Sequence, residues 1–151
     1  MERIYMDVCC WNRPFDDQTQ PRIHLEAEAV LAIVAAVECE RCQLLHSEIV
    51  DLETDDSPDA ERRQRLRRMI PQHHRYVRCD SKMISRALEL EQLGFPGMDA
   101  LHVASAEAGG ADVLLTTDDR LLHIARRHAS LLRTKIANPL VWVQDMQEGQ
   151  P

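Results

Sequence analysis

Aromatic side chains are scarce in this sequence, at 4% of 151 residues, so its core must be built mainly from aliphatic side chains. Long apolar stretches are missing too. The longest, Ala29 to Val37, is far too short to cross a bilayer, which takes about 20 apolar residues. The opening residues, Met1-Glu2-Arg3-Ile4, lack the apolar segment of a secretory signal, so no membrane contact is expected and a cytoplasmic protein is. Basic charge is in deficit. A net charge of −7 argues against loose, charge-driven binding of nucleic acid, which needs a positive surface. It leaves room for a nuclease whose metal ions neutralise an acidic pocket. No glycine-rich phosphate loop and no Ser/His/Asp arrangement is evident. The five cysteines are an odd count and, without a secretion signal, read as reduced thiols. Cys39-Glu40-Arg41-Cys42 has the Cys-x-x-Cys form, but a zinc site needs a second pair or suitable histidines. A redox pair sits at the start of a helix, whereas this one falls where a helix ends.

The remaining composition, 44% hydrophobic and 28% charged, is that of a globular protein, and the length predicts one domain over residues 1–151. A first strand is expected over Arg3 to Asp7, followed by a polar loop from Asn12 to Asp17. Pro21 suits the first turn of a helix, along which Ile23, Ala27, Val30, Leu31, Val34 and Val37 recur at helical spacing. A second strand is expected from Gln43 to Ser47, then an acidic stretch. Asp59 opens a helix rich in arginine, from Arg62 to Arg68, stopped by Pro71. A short strand lies near Tyr76 to Cys79, and Asp80 caps a helix ending at Gly94. A helix from Met98 to Ala108, a strand from Val113 to Thr116, a helix from Asp119 to His128 and a strand from Leu132 to Ala137 follow. Leu140 to Met146 fits either a short helix or a strand. Short apolar strands alternating with helices predict a parallel sheet with helices on both faces.

Three aspartates then stand out. Asp7 follows an apolar strand, Asp99 lies in the first turn of a helix, and Asp118 follows Thr116-Thr117 at a strand end. Each alone suits a cap or a loop. Together they fall at one edge of one sheet, the edge where ligands of open α/β folds bind. Three acids there repel one another unless a cation joins them, and an all-oxygen site favours Mg²⁺ or Mn²⁺. A metal so held can activate water and stabilise in-line attack on a phosphodiester. Arg13 is a candidate phosphate contact beside this edge. The arginine run is expected to be a solvated helix face paired with local acids, and His102 to pack beneath the sheet edge.

The chain resembles PIN-domain proteins, metal-dependent nucleases that include the VapC-type toxins of toxin–antitoxin pairs. The resemblance rests on three segments in order: Ile4-Tyr5-Met6-Asp7, Gly97-Met98-Asp99-Ala100-Leu101-His102-Val103-Ala104-Ser105-Ala106, and Ala111-Asp112-Val113-Leu114-Leu115-Thr116-Thr117-Asp118. It implies a three-layer α/β/α sandwich with a central, mainly parallel sheet of about five strands. It implies hydrolysis of RNA, with Asp7, Asp99 and Asp118 holding one or two ions. The family's fourth acid is a glutamate six residues after a serine that ends strand two, which here is Glu53 after Ser47. The neighbouring Glu48 is the competing choice. A helix capped by Ser47 would put Glu53 on one face with Ile49 and Val50 and so favour Glu53. The family threonine two residues before the last acid matches Thr116, whose hydroxyl can orient a carboxylate or a water. A homodimer and an antitoxin partner are further implications.

One departure concerns the residues after the first acid. Many family members carry a small hydroxyl or an amide there, and this chain has Val8 and Cys9. Asn12 is a candidate for the missing polar group. The departure keeps alive a binding module that retains the fold without catalysis. A haloacid-dehalogenase-like phosphatase also begins from an aspartate after strand one, but needs a second aspartate where Cys9 stands.

Overall fold

All five expected strands appear in the computed structural model, which describes residues 1–149. They are β1 (Glu2–Met6), β2 (Cys42–Ser47), β3 (Arg75–Val77), β4 (Val113–Leu115) and β5 (Lys135–Ala137). They form one sheet in the order β3-β2-β1-β4-β5, and every pairing is parallel. A parallel strand covered on both faces reads as an unbroken apolar run. Ile4-Tyr5-Met6 in β1, Leu44-Leu45 in β2 and Val113-Leu114-Leu115 in β4 are such runs, and all are fully buried. With β2 and β3 on one side of β1 and β4 and β5 on the other, the connections reverse direction between β1 and β4. That reversal opens a crevice at the carboxyl ends of these two strands.

Helices cover both faces, which gives the expected three-layer sandwich. They are α1 (Val8–Asn12), α2 (Pro21–Glu38), α3 (Glu48–Asp55), α4 (Ala60–Met69), α5 (Ser81–Gln92), α6 (Gly97–Ala108), α7 (Asp119–Arg127) and α8 (Pro139–Glu148). Short polar side chains start several of them. Asp7, Ser47, Asp59, Asp80, Asp118 and Asn138 each accept a backbone N–H of the following turn, a cap worth about 1 kcal/mol. The helix α2 buries Val30, Ile33, Val34 and Val37, and α8 packs against it through Trp142. The α5 helix ends on Gly94, whose φ of 107° suits a residue without Cβ.

The structure refines the sequence reading at several places. Between strand one and the expected polar loop of Asn12 to Asp17 stands a short helix, α1, which Asp7 caps and along which Val8, Cys10 and Trp11 are buried. A 3₁₀ turn, Arg13–Phe15, follows. The acidic stretch after β2 is α3, started by Ser47. The ambiguous carboxyl-terminal segment is helical, because Asn138 caps it and Pro139 sets its first turn. The core is aliphatic in bulk, yet Trp11 and Tyr5 rank first among its fully buried side chains.

Gly109 marks how closely α6 approaches the sheet. A Cβ built there would lie 2.8 Å from Val77 Cγ2 and 3.1 Å from Leu45 Cδ1, both on buried side chains. Gly109→Ala is therefore expected to destabilise the fold by about 1–3 kcal/mol through overpacking. Urea unfolding checks this, and an unchanged midpoint would mean that β2 and β3 yield more than this packing allows.

Candidate metal centre

The central strand delivers its acid directly to the crevice. Asp7 follows β1, and its backbone N–H still bonds Leu115 O at 3.2 Å, extending the β1–β4 ladder by one rung. Its Oδ1 accepts the Cys10 N–H at 3.2 Å, and the residue is only 5% exposed. Burial pushes the Asp7 carboxyl well above the usual carboxylate range, and the neighbouring Cys9 adds to the shift. Cys9 Sγ lies 2.6 Å from Asp7 Oδ1. The thiol donates to the carboxylate there, and at that contact the titrations of the two groups are coupled.

The other wall comes from β4 and α6. Thr116 is fully buried, and its Oγ1 accepts the Asp118 N–H at 3.1 Å. Asp118 Oδ1 in turn accepts the N–H groups of Arg120 and Leu121, at 2.9 and 3.4 Å, and starts α7. This turn is held from outside by Arg22, which grips both oxygens of Asp119 at 2.7 Å and donates to Thr117 O at 3.2 Å. Asp99 stands in the first turn of α6, where the helix dipole favours an acid. Burial raises its carboxyl above the usual range; the nearby Asp118 and Glu53 raise it further, while His102 and Arg120 oppose them.

Glu53 is fixed by a buried chain of hydrogen bonds. Tyr5 OH lies 2.7 Å from both Ser47 Oγ and His102 Nδ1, and His102 Nε2 lies 3.3 Å from Glu53 Oε2. A carboxylate only accepts, so with a neutral imidazole the Nε2–H points to Glu53. Nδ1 must then accept from the Tyr5 hydroxyl, whose oxygen accepts from Ser47. Ser47 Oγ also takes the Val50 N–H at 3.1 Å and so starts α3, the helix that carries Glu53. The chain thus runs in one direction and closes on its own helix. Glu48 faces elsewhere: its Oε2 accepts the Cys79 N–H at 2.9 Å, in the turn between β3 and α5.

The four acids therefore share one edge, but no three of them have oxygens mutually within 4.8 Å. Among the described residues the one set of three His, Cys, Asp or Glu groups that close is Asp7, Cys9 and Cys10. Asp7 and Asp118 are each held in a helix cap, which fixes their carboxylates away from one common point. Two other expected residues are already engaged. Asn12 Nδ2 donates to Val8 O at 3.0 Å, within its own helix. Arg13 pairs with Glu26 at 2.8 Å and Asp16 at 3.3 Å. The polar neighbour of Asp7 is Cys9 itself, which also lies 3.4 Å from Thr116 Oγ1. Along α4, Arg62, Arg65 and Arg67 pair with Asp16, Glu61 and Asp55, and Arg63 donates to Ser57 O.

Sequence reasoning missed Glu26 and the Tyr5–His102–Glu53 chain. Glu26 is 1% exposed and joins Arg13, Arg22 and Asn138, tying α2 to the segments on either side of the crevice. Its position beside Ala27 and Val30 on the apolar face of α2 was the available signal. Tyr5 gave a similar one, as the polar group within the buried run Ile4-Tyr5-Met6 at the sheet centre.

The PIN domain family profile matches residues 4–127. No curated protein matches the chain at a significant level. Among solved structures, it is similar to FitAcB from Neisseria gonorrhoeae, at a TM-score of 0.55 and 14% identity, over 90% of this chain and 97% of the other. It is similar also to VapBC2 from Rickettsia felis bound to a DNA fragment from their promoter, at a TM-score of 0.57 and 17% identity, over 89% and 98% of the two chains. At these identities the structural likeness speaks for the fold.

The raised Asp7 carboxyl makes a stability prediction. Such a group is content in the fold while protonated. Stability falls as pH climbs from the ordinary carboxylate value, near 4, through the raised folded value. Asp7→Asn keeps the cap and the volume but removes this dependence. In chelator, its melting temperature is expected to exceed that of the parent at pH 7, by about 2–4 °C for each kcal/mol relieved. The gap should shrink toward pH 4.5. Parallel melting curves across this range would show that Asp7 is not buried as a strained acid.

Proposed function

The chain belongs to the PIN domain family, and we propose that it is a Mg²⁺- or Mn²⁺-dependent endoribonuclease, the toxin of a type II toxin–antitoxin pair. PIN domains are generally nucleases. The observation that carries the reading for this chain is that Asp7, Glu53, Asp99 and Asp118 come to one edge of the sheet, near the crevice between β1 and β4, with Asp99 within reach of the charges of Asp118 and Glu53. Asp99 is raised by burial and by two of the other acids, as expected of a site that waits for a cation. The donors are carboxylate oxygens, which suit a hard ion. Asp7, Glu53, Asp99 and Asp118 would hold it. The bound ion supplies the positive charge that activates water and offsets the charge of the phosphodiester under attack.

The protein's own part is positioning. Thr116 fixes the turn that presents Asp118 and lies against Cys9 on the Asp7 side. His102 holds Glu53 at the rim, and Tyr5 and Ser47 hold His102. Arg22 braces the Thr117–Asp119 turn from outside. Arg13 reaches phosphate only by leaving Glu26 and Asp16, and Asn12 only by leaving Val8 O, so both are secondary candidates for RNA contact.

An antitoxin partner is proposed from the likeness to VapC-type toxins, which the VapBC2 and FitAcB neighbours support. Ile84 and Leu88 stand half-exposed one turn apart on α5, an apolar pair suited to a homodimer or antitoxin contact. No helix among the described residues is long and apolar enough to cross a membrane.

Cleavage of labelled RNA in Mn²⁺, Mg²⁺ or chelator tests the reading. Metal-dependent cleavage is expected, lost by at least about 100-fold in Asp99→Asn and in Asp118→Asn. Glu53→Gln should impair metal affinity and cleavage far more than Glu48→Gln, whose carboxylate serves Cys79. His102→Ala should cost about 10–100-fold in metal affinity as a second-layer support. RNA that is bound but never cut would favour the alternative, a silent binding module, for which the Cys9 thiol against Asp7 speaks.

A further inference from the structure

A carboxylate oxygen of Asp7, Cys9 Sγ and Cys10 Sγ form a set of ligating atoms that hard-metal chemistry does not require. All three atoms lie within 4.8 Å of one another. Cys9 Sγ also receives the Thr117 N–H at 3.3 Å, a donor aimed at the sulfur as a thiolate would demand. Cys10 is fully buried beneath, with its thiol donating to Leu115 O at 3.3 Å. Cys9 is partly exposed and opens the set to the crevice. Cys39, Cys42 and Cys79 join no such group among the described residues.

We propose that Asp7, Cys9 and Cys10 bind a thiophilic divalent cation of the Zn²⁺ or Cd²⁺ class, and that this ion excludes the hard metal because both need Asp7. The exclusion rests on the proposed nuclease reading, whereas the thiophilic site stands without it. Two sulfurs and one carboxylate oxygen are a donor set that selects zinc-like ions over Mg²⁺ and Mn²⁺. Three protein ligands leave a fourth position for water, as tetrahedral zinc allows. Bonds of about 2.0–2.3 Å put neighbouring ligands of a tetrahedral ion roughly 3.5 Å apart. The set already lies within reach of that spacing, apart from Asp7 and Cys9, which must separate by about 1 Å. Their contact is the hydrogen bond from the Cys9 thiol to the carboxylate, and binding removes that proton. The ion displaces both thiol protons to solvent and forms two metal–sulfur bonds and one metal–oxygen bond, with no change of oxidation state.

Cd²⁺ titration of the full chain tests this, read by thiolate-to-metal charge-transfer absorption in the ultraviolet. One equivalent is expected to bind with that signature. Cys9→Ser should lose the band and at least about tenfold in affinity, while Cys79→Ser keeps both. Cys10→Ser should weaken both, and if it fails to fold, Cys9→Ser decides. No band in the parent, or an undiminished band in Cys9→Ser, overturns the site. Mn²⁺ binding followed by electron paramagnetic resonance tests the exclusion. Cd²⁺ should release Mn²⁺, and simultaneous binding of both overturns it. A Cd²⁺ band in a protein that never cleaves RNA would sink the nuclease reading and leave the thiophilic site standing.

Discussion

A carboxylate buried at the end of the central strand governs the arrangement around it. An unpaired charge in a dry interior costs several kcal/mol, and Asp7 is almost fully enclosed. The fold meets that cost in three ways. The start of α1 offers Asp7 the Cys10 N–H, the Cys9 thiol donates to it, and the Thr116 hydroxyl lies close by. None of these removes the raised carboxyl, so the crevice keeps an unmet demand for positive charge. Asp99, Asp118 and Glu53 deepen it from neighbouring elements.

Around that deficit the supports are themselves charged or polar and, apart from the exposed Arg22, at least partly buried. Glu26 gathers Arg13, Arg22 and Asn138, and Arg22 passes the constraint on to the turn that bears Asp118. On the other side, Tyr5 links the cap of α3 to His102, and through it to Glu53. Both networks are nearly closed, with donors and acceptors matched, which makes buried polar groups rigid rather than costly. The acids at the rim are thus positioned by side chains far from one another in sequence.

The same physics explains Cys9. At a position where a hydroxyl or an amide is common among PIN domains, this chain places a thiol against the buried acid. Sulfur is a softer donor than oxygen, so one substitution changes what the pocket can accept without moving the backbone. The arginines of α4 illustrate the converse. They look like a nucleic-acid grip in sequence, yet local acids and a backbone carbonyl take up Arg62, Arg63, Arg65 and Arg67.

The strands, the helices and the positions of the three aspartates were legible in the sequence because each depends on local pattern. Apolar runs mark parallel strands buried on both faces, and Asp, Ser or Asn before a helical repeat marks its start. The choice of Glu53, six residues after Ser47, rested instead on the spacing that the family resemblance implies. Tertiary structure alone decided what partners each polar side chain. Nothing near Tyr5 in sequence announces Ser47 or His102, which lie 42 and 97 positions away. Nothing near Glu26 announces Asn138, 112 positions on. It also decided that Arg13 faces Glu26, that Cys9 faces Asp7, and that the acids stand near but not together. Hydrogen bonds and charges act over a few ångströms, and only the order of strands in the sheet determines which residues come that close.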